Sequence, residues 1–373
     1  MIEIREVKTK KDLKEFILFP LKIYKNNKYY VPKLISDEFF TLSKDTNPAY
    51  EYCKSVLYLA YDSKNQIVGR IAGIINYRYI EKWKNKYARF GWIDFIEDFE
   101  VAKKLIEAVE NWAKENGMEG IHGPLGFTDL DYEGMLVEGF EELGTMATIY
   151  NYPYYPQFME RLGYVKDIDW CEFNIKTPEK IPEKVLKLAE LVAERRKYKV
   201  LETKTPKDLL PYAKKIFDII DKAYANLYGV VPLTEKQVET YIKQYFPNID
   251  KDFVKVILDE NDDVVAFTIG MPSLSRALQK TKGKLFPFGW IHLLIALKRP
   301  RYLDLLLGAV DPKHQGKGAD VLMMVEMIKT AIKRKIISTE TNPELEINNK
   351  VQGHWKYLDS RQHKRRRVYL KKF

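Results

Sequence analysis

The sequence predicts an α/β (α+β) chain built from two consecutive copies of one unit, and three observations predict it. At 373 residues the chain exceeds what one simple core holds. Strand-like and helix-like periodicities alternate in the same order, β-α-β-β-β-α-β-α-β, in each half. The periodicity breaks over 176–197, where Thr177-Pro-Glu-Lys-Ile-Pro182 precedes a charged helical stretch. The expected domains are therefore 1–175 and 198–373, joined by a linker and helix over 176–197.

In the first half, Ile2–Val7 alternates as a strand and Lys11–Ile23 has helical spacing. Ser55–Asp62 and Gln66–Tyr77 read as strands around the polar turn Ser63-Lys-Asn65, and Arg89–Ile96 as another. Val101–Asn116 is an amphipathic helix with Gly117 placed to end it. A strand from Ile121, a helix over Tyr150–Leu162 and a strand over Asp167–Ile175 complete the copy. The second half repeats the order with Lys197–Glu202, the helix Lys207–Leu227, and a hairpin of Phe253–Asp259 and Val264–Gly270. Tyr302–Val310, the helix Val321–Lys335, Ile336–Thr341, a helix around Val351–Leu358 and the final strand Val368–Lys372 follow. The insertion Pro272–Arg301, with its apolar run Leu285–Leu297, reads either as a cover over the acceptor site or as packing between the halves.

The segment Leu303-Asp-Leu-Leu-Leu-Gly-Ala-Val-Asp-Pro-Lys-His-Gln-Gly-Lys-Gly-Ala-Asp320 carries the chemistry. An apolar strand runs into a glycine turn and then a helix. Exposed N–H groups and the positive end of a helix dipole converge at such a junction and bind anions. Gly316 and Gly318 lack a Cβ, so a diphosphate can approach the backbone. The segment is neither GxGxxG, since Val321 stands where the third glycine belongs, nor a Walker loop, since Gly318 follows Lys317.

Gln315-Gly-Lys-Gly-Ala-Asp320 resembles motif A of the GNAT acyltransferases, Gln/Arg-x-x-Gly-x-Gly/Ala, with Asp320 as the departure. Further pieces resemble a bacterial group of GNAT-like proteins of about this length: Phe19-Pro-Leu-Lys-Ile-Tyr24, Tyr30-Val-Pro-Lys-Leu34, Gly123-Pro-Leu-Gly-Phe127, Gly134-Met-Leu-Val-Glu-Gly-Phe140, Leu285-Phe-Pro-Phe-Gly-Trp290, Glu346-Ile-Asn348 and Lys364-Arg-Arg-Arg-Val-Tyr369. The resemblance implies two tandem GNAT-like domains, each a mixed, mostly antiparallel sheet flanked by helices and splayed between its fourth and fifth strands. It implies an N-acyltransferase with acetyl-CoA or another acyl-CoA as co-substrate and a small-molecule or peptide amine as acceptor.

On that resemblance, His314, Gln315, Gly316, Lys317, Gly318, Ala319 and Asp320 surround the pyrophosphate. Gly308, Ala309 and Val310 are the strand-end peptides for the pantetheine arm. Asn348 pins a pantetheine amide, and Asp304, the one acid of its strand, and Tyr357 are the candidate acid-base groups, although Tyr357 is out of the usual register. The first half has Phe95-Ile-Glu-Asp-Phe-Glu100 at the equivalent junction, which cannot cradle a diphosphate, so it is a degenerate copy. That degeneracy and the displaced tyrosine leave a second reading open, a non-catalytic acyl-CoA-binding or sensor protein.

Other classes find less support. The five histidines have no HExxH-type spacing and no cysteine beside them, so no metal site is expected. No GxSxG elbow occurs. Cys53 and Cys171 read as reduced core thiols, the N-terminus lacks a signal-peptide pattern, and no apolar run is long enough to span a bilayer, which together imply a cytoplasmic protein. The net charge of +10 concentrates in residues 350–373, which hold nine Lys/Arg against the one acid Asp359. A nucleic-acid-coating protein would spread that charge, and the alternation around Arg365–Leu370 instead suggests a charged edge strand.

Overall fold

The structure is a computed structural model and describes residues 2–246 and 249–373. The first half holds β1 (Glu3–Glu6), α1 (Lys10–Ile23), α2 (Ile35–Leu42), β2 (Cys53–Tyr61), β3 (Ile67–Asn76), α3 (Tyr77–Trp83), β4 (Tyr87–Phe95), α4 (Phe99–Glu115), β5 (Gly120–Gly123), β6 (Met135–Glu138), α5 (Tyr154–Arg161) and β7 (Val165–Lys176). After α6 (Glu183–Arg196) the second half holds β8 (Lys199–Val200), α7 (Leu210–Tyr224), α8 (Glu235–Tyr245), β9 (Val254–Leu258), β10 (Val264–Pro272), α9 (Ser275–Thr281), α10 (Gly289–Lys298), β11 (Tyr302–Val310), α11 (Ala319–Lys333), β12 (Ser338–Thr341), β13 (Glu344–Leu345), α12 (Asn349–Trp355) and β14 (Ser360–Lys372). Apart from α10 the two orders of helices and strands match.

Local chemistry sets several boundaries. Thr9 and Asp12 form a reciprocal capping box at the start of α1, and Asp98 caps α4. The short helices α2, α3 and α9 escaped the sequence reading because tertiary contacts hold them, whereas α8 carries a local capping box of Thr234 and Gln237 that the reading passed over. On α2, for example, Glu38 is buried and accepts a hydrogen bond from the Trp92 indole on β4 (2.9 Å).

All the main strands join one sheet in the order β1-β2-β3-β4-β5-β14-β7-β12-β11-β10-β9-β8. Pairing is antiparallel except for β4/β5 and β11/β12, which are parallel. The last strands are exchanged between the halves. β14 pairs with β5 and β6 of the first half, while β7 pairs with β12 and β13 of the second. β7 and β14 then pair with each other at the centre. The expectation of a terminal edge strand is corrected here: β14 has neighbours on both sides.

Charge would normally keep such a strand at the edge. It is central because acids meet its cations. Lys364 and Arg366 are fully buried, Lys364 bonded to Glu340 and Arg366 to Glu172. Arg367 holds Asp169 through two nitrogens (2.8 and 3.1 Å), and Lys371 reaches Glu110 (2.9 Å). The basic tail is thus largely neutralised within the sheet rather than presented as a patch.

Helices cover the sheet in separate cores. α4 and α5 pack on β3–β5 around Leu105, Val109 and Tyr155. α7 and α8 pack on β9–β11 around Ile216, Ile220 and Phe267. α6 and α11 close another core, with Ala189 and Val192 against Ala319 and Leu322.

The buried Arg366–Glu172 pair predicts a large mutational cost. Removing one member of a buried pair typically costs about 3–5 kcal/mol, whereas exposed pairs contribute about 0–1 kcal/mol. Arg366→Leu should therefore lower unfolding free energy by that larger amount in urea melts. Arg361→Leu, whose partner Glu142 lies near the surface, should change it by less than about 1 kcal/mol.

Candidate functional site

β11 and β12 run parallel only from Tyr302–Ser338 to Leu305–Thr341. Beyond Leu305 they diverge. The register of β11 against β10 jumps from Leu307 to Leu305, so Leu306 is bulged where the splay begins. The same irregularity occurs in β4, between the pairs Arg70–Asp94 and Ala72–Gly91. The divergence opens a cavity of about 760 Å³.

The glycine turn forms part of the cavity's wall. Gln315, Gly316 and Asp320 line it, together with the strand-end residues Gly308, Ala309 and Val310 and, on α12, Asn348. Gly316 has φ +72°, and a Cβ there would meet nothing within 4 Å, so the residue faces open space. Gly318 has φ +87° and caps α11, but its Cβ would lie 2.7 Å from Val192. Tight packing of α6, rather than room for a ligand, is what Gly318 serves. Asp320 is not the helix cap; it sits in the first turn of α11, and its carboxylate lies 3.3 Å from His354 Nε2.

His314, Lys317, Gly318, Ala319, Asp304 and Tyr357 lie off the cavity lining. His314 Nδ1 is 2.8 Å from the Tyr198 hydroxyl, on the linker side of the turn. Lys317 is exposed and Ala319 is buried under α6. Asn348 is the N-cap of α12, its Oδ1 accepting from Val351 N–H (3.4 Å). Tyr357 is 86% exposed and does not line the cavity, so the structure does not bring it to the reacting centre. Asp304 is buried, and it too lies outside the cavity lining. It pairs in register with Glu340, and burial, then that charge, raises its carboxyl to about 7.

Another part of the cavity's lining was not foreseen. Asp129 and Glu133, from the first half's loop between β5 and β6, reach into its wall, as do Tyr224 and Tyr228 from the end of α7 and just beyond. Burial raises Asp129 to about 6, and burial plus the Asp129 charge holds Glu133 well above the ordinary carboxylate range. Asp129 Oδ1 is buried with no partner among the described residues. The Tyr224 hydroxyl donates to the Gly308 carbonyl (3.0 Å). Tyr228 donates to Asp167 and lies 2.8 Å from His122 Nδ1, while burial lowers the His122 imidazole to about 4, so it is neutral at pH 7. Met323, Met324, Met327 and Leu345 add an apolar, adaptable lining. Glu344 is half-buried there, bonded to the Trp355 indole (2.9 Å) and raised to about 8 by burial.

The alternation of Asp129, Asp131 and Glu133, in a stretch without Lys or Arg from Ile121 to Val137, was the available sequence signal. Nothing in it told that the second half's cavity would receive these acids. Contacts across the halves do that. Arg89, fully buried, donates to Gly126 O (2.9 Å) and Gly229 O (3.0 Å), and Lys82 and Trp83 hold Val230 O.

The equivalent space in the first half is filled. Phe95 at the end of β4 donates its N–H to the Tyr155 hydroxyl (2.9 Å) and accepts from Tyr154 (2.8 Å). Its ring stacks on Tyr155 at 4.1 Å. Tyr24 and Arg70 both bond Asp94 beside it (2.8 Å each).

No protein-family model matches the chain. It is 28% identical over 377 residues to Protein YghO of Escherichia coli (strain K12), covering 99% of this chain and 95% of that protein. It is 27% identical over 306 residues to the bacterial ceramide synthase of Caulobacter vibrioides, covering 80% of this chain and 77% of that one. Among solved structures, a tandem GNAT protein from the clavulanic acid biosynthesis pathway aligns with TM-score 0.57 and 10% identity, over 100% of this chain and 98% of that one. The fold is therefore a tandem GNAT fold, a mixed and mostly antiparallel sheet flanked by helices.

Two outcomes follow from the geometry. Both glycines have positive φ, but only Gly318 is crowded, so Gly318→Ala should lower the melting temperature further than Gly316→Ala through its clash with Val192. Asp304 has a folded-state pKa above its unfolded value, so the stability it contributes is present below about pH 4 and lost as pH rises through about 7. Asp304→Asn should therefore match wild type below about pH 4 and be more stable at pH 8, by at most about 4 kcal/mol in denaturant melts.

Proposed function

We propose that the chain is an acyl-CoA-dependent N-acyltransferase whose single active site lies in the second half, with the first half contributing the acceptor end. The observation that carries this reading is one cavity lined both by the glycine turn of the second half and by the partly buried acids Asp129 and Glu133 of the first. The residues fit CoA: Gly316 faces open space, the first-turn N–H groups of α11 point out of the helix end, and Lys350 borders the cavity. Bound acyl-CoA would supply a thioester carbon to a nucleophilic amine; the C–S bond would break as the C–N bond forms, and the thiolate would leave as the free thiol with the proton the amine nitrogen gives up on becoming an amide.

This chain's residues perform the rest. Gly316 and the start of α11 hold the diphosphate, and Asn348 and the Gly308–Val310 edge hold the pantetheine arm. Asp129 and Glu133 attract a cationic amine. An arriving ammonium lowers both carboxyls, and one of the pair then accepts its proton, leaving a neutral nucleophile. Raised carboxyls suit this task, because a base works best when its pKa lies near the operating pH. The Tyr224 hydroxyl fixes the Gly308 peptide.

The acceptor class follows from the lining. The cavity is largely apolar and flexible, and the Caulobacter relative is named for making ceramide, an N-acylated long-chain amino alcohol. We assign the acceptor as an amine on an apolar chain. The test is thiol release from acetyl-CoA and from longer acyl-CoAs with a panel of amines. Faster turnover with long-chain amino alcohols than with amino acids supports the reading. Absence of thiol release with every pair, despite CoA binding, favours the non-catalytic sensor instead.

In that assay Glu133→Gln should lower kcat/KM by about 10²–10⁴-fold, the range of general acid-base catalysis, with CoA affinity unchanged. Wild-type kcat/KM should fall as pH drops, because the base must be ionised. Asp129→Asn should move that fall to lower pH, since it removes the negative charge that raises Glu133.

A further inference from the structure

The insertion that carries α10 does not line the cavity; it packs between the halves. One side of it rests on the first half. Leu293 is buried with Val31, Leu278 and Ala277, and Leu34, Met146 and Leu297 pack around them. Gln279 on α9 donates to Tyr30 O (3.0 Å), and Gly283 O accepts from Ile35 N–H (3.1 Å). This anchors α9 and α10 firmly.

The other side is apolar and open. Phe286 is 79% exposed and Phe288 70%. On α10, Trp290, Ile291, Leu294 and Ile295 are all exposed, and their i, i+1, i+4, i+5 spacing makes them one continuous stripe. Most other exposed large hydrophobics of the chain lie singly or in pairs, which is ordinary; a concentration of six within ten residues is not. A helix apolar on both faces needs a second non-aqueous neighbour.

Charge identifies that neighbour. Residues 264–303 contain no Asp or Glu, yet hold Arg276, Lys280, Lys282, Lys284, Lys298, Arg299 and Arg301. All seven are exposed, and none forms an ion pair with an acid of the chain among the described residues. This is a different set from the tail cations, which the sheet neutralises. Long cationic side chains flanking an aromatic and aliphatic face suit the boundary between anionic headgroups and acyl chains. A protein partner would need acids to meet these cations, and a second copy of this chain would bring the same seven cations against them.

We propose that α10 and the Leu285–Gly289 loop form a peripheral docking surface for an anionic phospholipid bilayer, with Phe286, Phe288 and Trp290 inserted at the headgroup level and the cations on lipid phosphates. No described helix is long and apolar enough to cross a membrane, so attachment is to the surface. The proposal is independent of the acyltransferase reading, and its test requires no turnover.

Trp290 is the one exposed tryptophan of the six, so its emission reports the contact. The full-length chain is mixed with phosphatidylglycerol/phosphatidylcholine vesicles and with phosphatidylcholine vesicles alone. A blue shift and co-sedimentation with the anionic vesicles, weakened by salt, are expected. Phe286→Ser/Phe288→Ser should abolish co-sedimentation while leaving CoA binding and the melting temperature unchanged. Lys282→Gln/Lys284→Gln should weaken vesicle affinity about tenfold or more. No shift and no co-sedimentation overturns the proposal. So does equal binding to neutral vesicles that the lysine variant leaves intact, or a dimer in light scattering that the phenylalanine variant dissociates without any vesicle binding by wild type.

Discussion

The pairing of β7 with β14 is the constraint on which the rest of the molecule depends. Each is the last strand of its half, and each completes the other half's sheet. The seam places Lys364 and Arg366 where water cannot reach them, so their compensation must be internal. Glu172 and Glu340 provide it, one acid from each half. Buried pairs of this kind contribute little net stability against apolar substitutes, but an unmatched member is very unfavourable. They therefore act on register: a one-residue slip of β14 would turn Lys364 and Arg366 away from their acids and set Arg365 and Arg367 against the core.

The seam also explains how a duplicated chain comes to have one open cavity. In both halves the fourth strand bulges and separates from the fifth. In the first half, Tyr154, Tyr155 and Phe95 fill the opening with stacked rings, and hydrogen bonds from the tyrosines satisfy the Phe95 peptide. In the second, glycine and alanine occupy the strand end, and the space stays open. The first half then supplies something else. Because the sheet is continuous, its β5–β6 loop lies against the second half's α7, and Arg89 ties the two together through backbone carbonyls. Acids from one copy thus line the same cavity as the glycine turn of the other.

Much of the fold was legible because it rests on short-range pattern. β11 was read to the residue, and α1, α4 and α11 to within about two residues, since period-two and period-3.6 spacing and their caps are local properties. The glycine turn was legible for the same reason: positive φ at Gly316 and Gly318 is a demand the residue type itself announces. The sequence could not separate the two glycines, though. One faces open space and the other faces Val192, a residue 126 positions earlier in the chain.

What the sequence by itself determined is the repeated order of strands and helices and the place of the glycine turn, because these depend on neighbours within a few residues. Tertiary structure alone decided the rest. It put Asp304 into a buried pair with Glu340, left Tyr357 at the surface, drew the basic tail into the centre of the sheet, and turned the Phe286–Ile295 stripe outward. It also brought Asp129 and Glu133 to a cavity formed by residues some 180 positions away. Each of these outcomes follows from which strand pairs with which, and an antiparallel strand carries no local mark of its partner: the cations of β14 fit an edge or a centre equally until the acids opposite them are known.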